Sequence, residues 1–314
     1  MELTRMKDYE RLRLLERPKG RVDVVLDTDT YNEIDDQFAL AYMMKAPEKL
    51  NVLAITAAPF LNKKAASAGV GMELSYQEIE KLLRFMQRED MLEKTYKGSE
   101  SFLPDEKTPV DSPAARKIAE LAMAHSTENP LYVIAIGAIT NVASAILMQP
   151  EIAEKMVVVW LGGHALHYKD NREFNLYQDI AAARVVFLSG VPLVMLPCQG
   201  VVSSFALSGE ELLHWLGDRD PLCDYLARNA IREAETYAKG KPWTRVIWDV
   251  TAVAWLLDEE GEMLYDRVTP RPVPEYDNLW GEDPRMPLCR YVYYIRRDLL
   301  LRDMISRLTG EDVR

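Results

Sequence analysis

The chain alternates short apolar runs with longer stretches whose apolar residues recur at helical spacing. The first run, Val22–Leu26, is continuous and β-branched, and it predicts a buried strand ending in Asp27-Thr28-Asp29. A polar loop follows. Asp35-Asp36 then opens an apolar helical stretch, where acids suit the positive end of the helix dipole, and Pro47 ends it. Asn51–Ala57 predicts a second strand. Residues 76–89 show helical periodicity, and 92–112, with Gly98, Pro104 and Pro109, predict an irregular surface loop. Further on come a helix over about Ala114–His125, a strand over Leu131–Ile136 and a helix over Asn141–Met148. A strand over Met156–Leu161 ends in Gly162-Gly163, followed by a helix over Asp179–Ser189 and a strand over Pro192–Leu196. Residues 209–258 predict mostly helix, and Tyr291–Ile295 a late edge strand.

Strands alternating with helices at this spacing imply an α/β fold, a mainly parallel open sheet covered by helices on both faces. With no internal repeat and no linker, 1–314 is expected to be a single domain, with a core over about 20–265 and a C-terminal strand and helix in 266–314. Ligands of open α/β sheets bind beyond the carboxyl ends of the strands. Polar clusters sit at such ends here: Asp27 and Asp29, Gly137–Asn141, and Gly162–His164.

Composition narrows the partners. A net charge of −11 argues against a nucleic-acid backbone or an anionic membrane, and suits a cation or a neutral small molecule. The three cysteines, Cys198, Cys223 and Cys289, form no metal-binding pattern and read as isolated reduced thiols. The charged N-terminus lacks the apolar core of a signal peptide, and no apolar run reaches the roughly 18 residues needed to span a bilayer. A cytoplasmic protein is expected.

Asp27, Asp29, Asp35 and Asp36 lie close together after the first strand. Carboxylates held together repel, and a divalent cation relieves the repulsion; such oxygen-rich sites favour calcium or magnesium. A solvated acidic loop with a helix cap is the plainer alternative. Asp27-Thr28-Asp29-Thr30 also matches the Asp-x-Asp-x-Thr signature of haloacid-dehalogenase-like phosphatases, but the late Gly-Asp-x-x-x-Asp element is missing. An EF-hand is excluded, since the loop lacks Gly at its sixth position and Glu at its twelfth.

The segment from Asp27 to Asp36, leading into Gln37-Phe38-Ala39-Leu40, resembles the first motif of the nucleoside hydrolases, Asp-x-Asp-Pro-Gly-x-Asp-Asp before an apolar helix. Here Pro-Gly is absent and the loop is two residues longer. Four further segments match in order: Ile136-Gly137-Ala138-Ile139-Thr140-Asn141, Leu161-Gly162-Gly163, Glu173-Phe174-Asn175 with Asp179 after it, and Trp248-Asp249-Val250. The resemblance spans about residues 20–265 and implies a Rossmann-like nucleoside hydrolase fold, a nucleoside substrate, bound Ca2+ and a homodimer or homotetramer. It also implies residue roles. Asp29 becomes a calcium ligand and the general base, Asp36 and Asp249 become calcium ligands, and the main-chain carbonyl of Ile136 joins them. Asp35, Asp249, Glu173 and Asn175 bind ribose hydroxyls, and Asn171 is a candidate for the 5′-hydroxyl.

The implied reaction is hydrolysis of the N-glycosidic bond, which leaves positive charge on the ribose ring that nearby carboxylates stabilise. Many family members carry a histidine before the late aspartate as the acid for the departing base; a purine-preferring subgroup carries a tryptophan that stacks on the base. Trp248 resembles the second pattern and implies purine preference, the alternative being a core tryptophan at a helix start. His164, His167 and Tyr31 are candidate substitute acids, and Phe102 a candidate second stacking group. A ribose-binding protein without activity is the competing non-enzyme reading.

Overall fold

A computed structural model of the protein describes residues 6–313. Its main element is an eight-stranded sheet: β1 (Val22–Thr28), β2 (Leu50–Ala57), β3 (Thr95–Tyr96), β4 (Leu131–Ala135), β5 (Met156–Leu161), β6 (Leu193–Leu196), β7 (Leu264–Pro270) and β8 (Leu288–Ile295), in the order β3-β2-β1-β4-β5-β6-β8-β7. Every pairing is parallel except β8 with β7. Successive residues of a strand point to opposite faces, so each inner strand feeds two cores. Val24 and Leu26 join one apolar cluster and Val25 the other; Val157, Val159 and Leu161 oppose Val158 and Trp160 in the same way. Burial on both faces is why these strands read as unbroken apolar runs.

Helices α2 (Asp35–Met44), α8 (Gly209–Leu216), α9 (Pro221–Ala238), α10 (Val250–Leu257) and α11 (Arg297–Thr309) contribute to the first cluster, and α4 (Pro113–Met123), α5 (Thr140–Met148) and α7 (Ile180–Ser189) to the second. All ten residues of α2 are buried, so its apolar character runs all round rather than along one stripe. Side-chain caps place several helix starts: Ser112 for α4, Asp179 for α7, and a reciprocal Ser208–Glu211 box for α8.

Four expectations are corrected. The stretch 92–112 is not all loop, since β3 within it pairs in parallel with β2 and forms one edge of the sheet. Tyr291–Ile295 belongs to β8, which is not an edge strand: β7 covers it, antiparallel, and takes the edge. Residues Leu264–Pro270 are partly exposed and mix charged with apolar positions, so no apolar run announces them. A helix, α3 (Ala68–Phe85), starts eight residues before the periodic stretch because Ser67 caps it by accepting from the Val70 N–H. A short first helix, Asp8–Leu14, precedes the sheet where no element was expected.

A buried hydrogen-bonded knot holds the carboxyl ends of β1 and β2 together. Asn141 Nδ2 donates to Asp27 Oδ1 (2.8 Å) and to the Ala57 carbonyl (3.1 Å), while its Oδ1 accepts from the Ser99 N–H and hydroxyl (2.8 Å each). Thr56 also donates to Asp27. Gly98 must be glycine there, since a Cβ would lie 1.9 Å from the Ala57 carbonyl oxygen. Asn141→Ala would strand several buried polar groups, each costing about 1–3 kcal/mol. The expected outcome is a loss of about 2–3 kcal/mol in unfolding free energy by urea titration; a loss under about 0.5 kcal/mol would show that the knot is replaced by water.

Candidate active site

The carboxyl ends of β1, β4, β5 and β6 and the start of α10 enclose a cavity of about 340 Å3. Asp29 follows β1 directly. Its carbonyl accepts from the Asn32 N–H (2.7 Å), which turns the chain back toward α2. Asp35 and Asp36 form the first turn of α2, and Asp249 stands at the N-cap of α10. All four line the cavity and are at most 3% exposed. Oxygens of Asp35, Asp36 and Asp249 lie within 4.8 Å of one another, with Asp29 on the same wall. The approach of the β4 loop to Asp29 depends on Gly137, where a Cβ would come 3.0 Å from Asp29 Cγ.

Electrostatics in this cluster are severe. Burial, and then the charges of Asp36, Asp35 and Glu33, push the Asp29 carboxyl well above the ordinary range. Asp35 is raised by burial, Glu33 and Asp36, with Arg245 pulling the other way. Asp249 is raised by burial and by Asp35, Asp36 and Asp29. Asp36 is pushed up only to about 6, because Thr28 donates to its Oδ1 at 2.5 Å. Asp29 Oδ2 and Asp35 Oδ1 are buried with no hydrogen-bond partner. Convergent carboxylate oxygens that lack protein donors fit a hard divalent cation, which would satisfy them together.

The other wall comes from the loop after β5. The Glu173 carboxylate caps the short helix α6 (Phe174–Gln178): it accepts from the N–H groups of Gly163 (2.8 Å), Asn175 (2.9 Å) and Leu176 (3.0 Å). Burial raises its pKa, and these three donors pull it back. Asn175 spends both Nδ2 hydrogens on the carbonyls of Ile136 (3.1 Å) and Leu161 (3.0 Å), so its Oδ1 is the atom left for a ligand. The Ile136 carbonyl has a second lone pair beyond the one Asn175 uses.

Of the residues expected from sequence, Asp29, Asp35, Asp36, Ile136, Glu173, Asn175, Trp248 and Asp249 all line the cavity. Asn171 is not brought there. It is fully buried, its Oδ1 accepts from the His164 N–H (2.6 Å), and a Cβ on Gly163 would touch that oxygen at 2.8 Å. Trp248 is half-buried, with part of its ring on the apolar core and part on the cavity, so it is both core and wall. His164 lines the cavity, and burial lowers its pKa. His167, Phe102 and Tyr31 do not line it; Tyr31 is exposed, with the Lys64 ammonium over its ring. Asp27 is fully buried in the knot with Asn141, so the first carboxylate of the Asp-x-Asp-x-Thr segment is not presented to a substrate.

Sequence reading missed Asn32, Glu33, Arg172, Phe174, Cys198 and Gln199 in the lining. Phe174 is the middle residue of the Glu173-Phe174-Asn175 segment and Arg172 directly precedes it, and that placement was the available signal. Cys198 and Gln199 follow β6, and only the strand-end rule pointed to them. Burial pushes the Cys198 thiol well up, so it stays protonated. The long first loop is held against the pocket: Glu33 pairs with the nearly buried Arg245 (2.5 Å), and Lys64 donates to the Asn32 carbonyl (2.8 Å).

Comparison with known proteins agrees with this geometry. The sequence profile of the inosine-uridine preferring nucleoside hydrolases matches residues 24–275. The non-specific ribonucleoside hydrolase RihC of Salmonella paratyphi B is 28% identical over 260 residues, covering 76% of this chain and 79% of its own. Among solved structures, a purine-preferring ribonucleoside hydrolase from Gardnerella vaginalis superposes with a TM-score of 0.73 at 21% identity, covering 92% of this chain and 98% of its own. An inosine-guanosine nucleoside hydrolase superposes with a TM-score of 0.74 at 17% identity, covering 93% and 99%. These superpositions establish the shared fold.

The acidic cluster predicts a pH signature. In the cluster Asp36 is raised to about 6, above an unfolded value near 3.9, and Asp29, Asp35 and Asp249 are raised well above it. Between those values the folded protein holds protons that the unfolded chain has released, so its stability falls as pH rises through about 6. A bound cation replaces the protons. Protein stripped with chelator is therefore expected to melt higher at pH 5 than at pH 7.5, and an added divalent cation to restore the loss mainly at pH 7.5. A cation effect equal at both pH values would contradict this.

Proposed function

The chain belongs to the inosine-uridine preferring nucleoside hydrolase family, and on that premise we propose that the acidic cavity hydrolyses ribonucleosides with bound calcium and prefers purine nucleosides. The observation that carries the calcium reading is the convergence of Asp35, Asp36 and Asp249 oxygens within 4.8 Å of one another, with two partnerless buried oxygens, Asp35 Oδ1 and Asp29 Oδ2, on the same wall. Asp29, Asp36, Asp249 and the Ile136 carbonyl are the proposed ligands, with Asp35 close enough to share the ion and to accept from a ribose hydroxyl. When bound, calcium supplies charge that fixes the ribose hydroxyls and acidifies the attacking water.

The chain's own residues do the rest. Asp29, whose basicity burial has raised, accepts the proton of the water that attacks C1′. As the C1′–N bond breaks, positive charge develops on the sugar, and the desolvated carboxylates around it stabilise that charge more strongly than water would. Asn175 Oδ1 accepts from a ribose hydroxyl, while Glu173 holds the wall that aims Asn175. Trp248 offers a ring face to the base. We place the reaction in the cytoplasm, in a single-domain protein; no helix among the described residues is long and apolar enough to cross a membrane.

Two substitutions test the reading. Loss of a general base typically costs about 10²–10⁴-fold, and Asp29→Ala also removes a ligand. Ribose release from inosine should therefore fall by at least that factor and disappear on chelation in wild type; near-normal turnover by the variant would remove Asp29 from the mechanism. For Trp248→Ala, stacking worth about 0.5–1.5 kcal/mol predicts a several-fold greater loss of kcat/KM on inosine than on uridine. Equal losses on both, with a lowered melting temperature, would assign Trp248 to packing alone.

A further inference from the structure

Charge is divided along the cavity. The carboxylates of Asp29, Asp35, Asp36 and Asp249 gather at the β1 and α10 side. Arg172, His164 and Gln199 line it from the loops after β5 and β6, where the one carboxylate in the lining, Glu173, is already held by three backbone N–H donors. In the sheet order β1-β4-β5-β6 those loops lie two and three strands from β1, about 10–14 Å at the usual strand spacing.

Arg172 stands apart from the neighbouring arginines. Arg245 is committed to Glu33, and Arg184 to Glu106 and Glu275. Among the described residues no carboxylate pairs with the Arg172 guanidinium. Its backbone N–H donates to Asp170 (3.2 Å), and the guanidinium of this exposed residue rests 5.6 Å from the centre of the Tyr177 ring. His164 beside it is anchored at three points. Its N–H donates to Asn171, its carbonyl accepts from Trp280 Nε1 (3.0 Å), and its Nδ1 accepts from the Gln199 N–H (3.4 Å). With Nδ1 accepting, the neutral ring carries its proton on Nε2 and is a donor. This end of the cavity thus presents N–H donors, one of them a fork suited to planar or tetrahedral oxyanions.

A neutral nucleoside offers such a set only uncharged acceptors and nothing to match the charge of the guanidinium. Its 2′- and 3′-hydroxyls are claimed by the acidic end and its base by Trp248, and the substituent left to face Arg172 is the one on C5′. We propose that the Arg172–His164–Gln199 end is a phosphate subsite, and that the substrates of this enzyme include ribonucleoside 5′-monophosphates. The proposal rests on the nucleoside hydrolase reading of the same cavity. In the reaction, water oxygen bonds to C1′, the C1′–N bond breaks with its electron pair going to the base, and the base takes up a proton. The products are ribose 5-phosphate and free base.

Two measurements test it. The first compares kcat/KM for inosine and inosine 5′-monophosphate in wild type, Arg172→Gln and Arg172→Lys. Loss of a charge-assisted phosphate contact should lower the monophosphate-to-inosine ratio about tenfold or more in Arg172→Gln, with partial rescue in Arg172→Lys. The second measures, by calorimetry on calcium-saturated protein, binding of ribose 5-phosphate against ribose, with inorganic phosphate as control. Ribose 5-phosphate should bind at least about tenfold more tightly than ribose, and Arg172→Gln should abolish the difference. If inosine is cleaved while the monophosphate is not, and ribose 5-phosphate binds no better than ribose, the phosphate subsite is overturned and the hydrolase reading stands. If neither compound is cleaved yet ribose 5-phosphate binds through Arg172, the subsite stands and the hydrolase reading falls.

Discussion

Asp29, Asp35, Asp36 and Asp249 line one cavity, each at most 3% exposed, and burial together with their mutual charge makes ionisation of each more costly. The surroundings are arranged around that repulsion. Thr28, itself in contact with the Thr30 hydroxyl, gives Asp36 one donor, and Arg245 sets a buried positive charge near Asp35. These offsets are partial: two carboxylate oxygens remain without donors. A fold that stops short of neutralising its own acids retains a standing demand for protons or a cation, and that demand couples folding, metal binding and pH.

Such strain is tolerable only on a rigid support. The support is the parallel sheet, buried on both faces, with Asn141 and Asp27 binding the ends of β1 and β2 into one unit just behind the acids. On the opposite wall Glu173 and Asn175 serve the same end by different means. Each spends most of its hydrogen-bonding capacity on backbone groups, which fixes the position of the atoms that remain. A motif residue can thus matter through the wall it builds as much as through a ligand contact, and Glu173 belongs mainly to the first kind.

The departures from the familiar motif fall where the cavity meets solvent. The longer first loop exchanges a Pro-Gly turn for Asn32 and Glu33, held by Lys64 and Arg245 from elsewhere in the chain. Arg172 enters the wall beside the Glu173-Phe174-Asn175 segment. The acidic wall is built from residues that match the family's motifs, whereas Asn32 and Glu33 belong to the longer first loop and Arg172 lies outside the matched segments.

What the sequence by itself determined was whatever depends on neighbours a few positions apart. β1, its trailing carboxylates and the apolar helix after them were legible because a doubly buried strand leaves an apolar run and a helix start favours acids. The inner strands and the polar residues at their ends followed from the same local logic. Tertiary structure alone decided the rest. Asp249 meets Asp35 only because α10 packs over the sheet beside α2. Asn171 turns inward, where its Oδ1 accepts from the His164 N–H, while Arg172, one residue on, lines the cavity. β8 lies inside the sheet because β7, whose mixed sequence carries no strand signal, pairs along its far side. Periodicity reports which face of an element is buried; which distant element does the burying depends on contacts that no local pattern encodes.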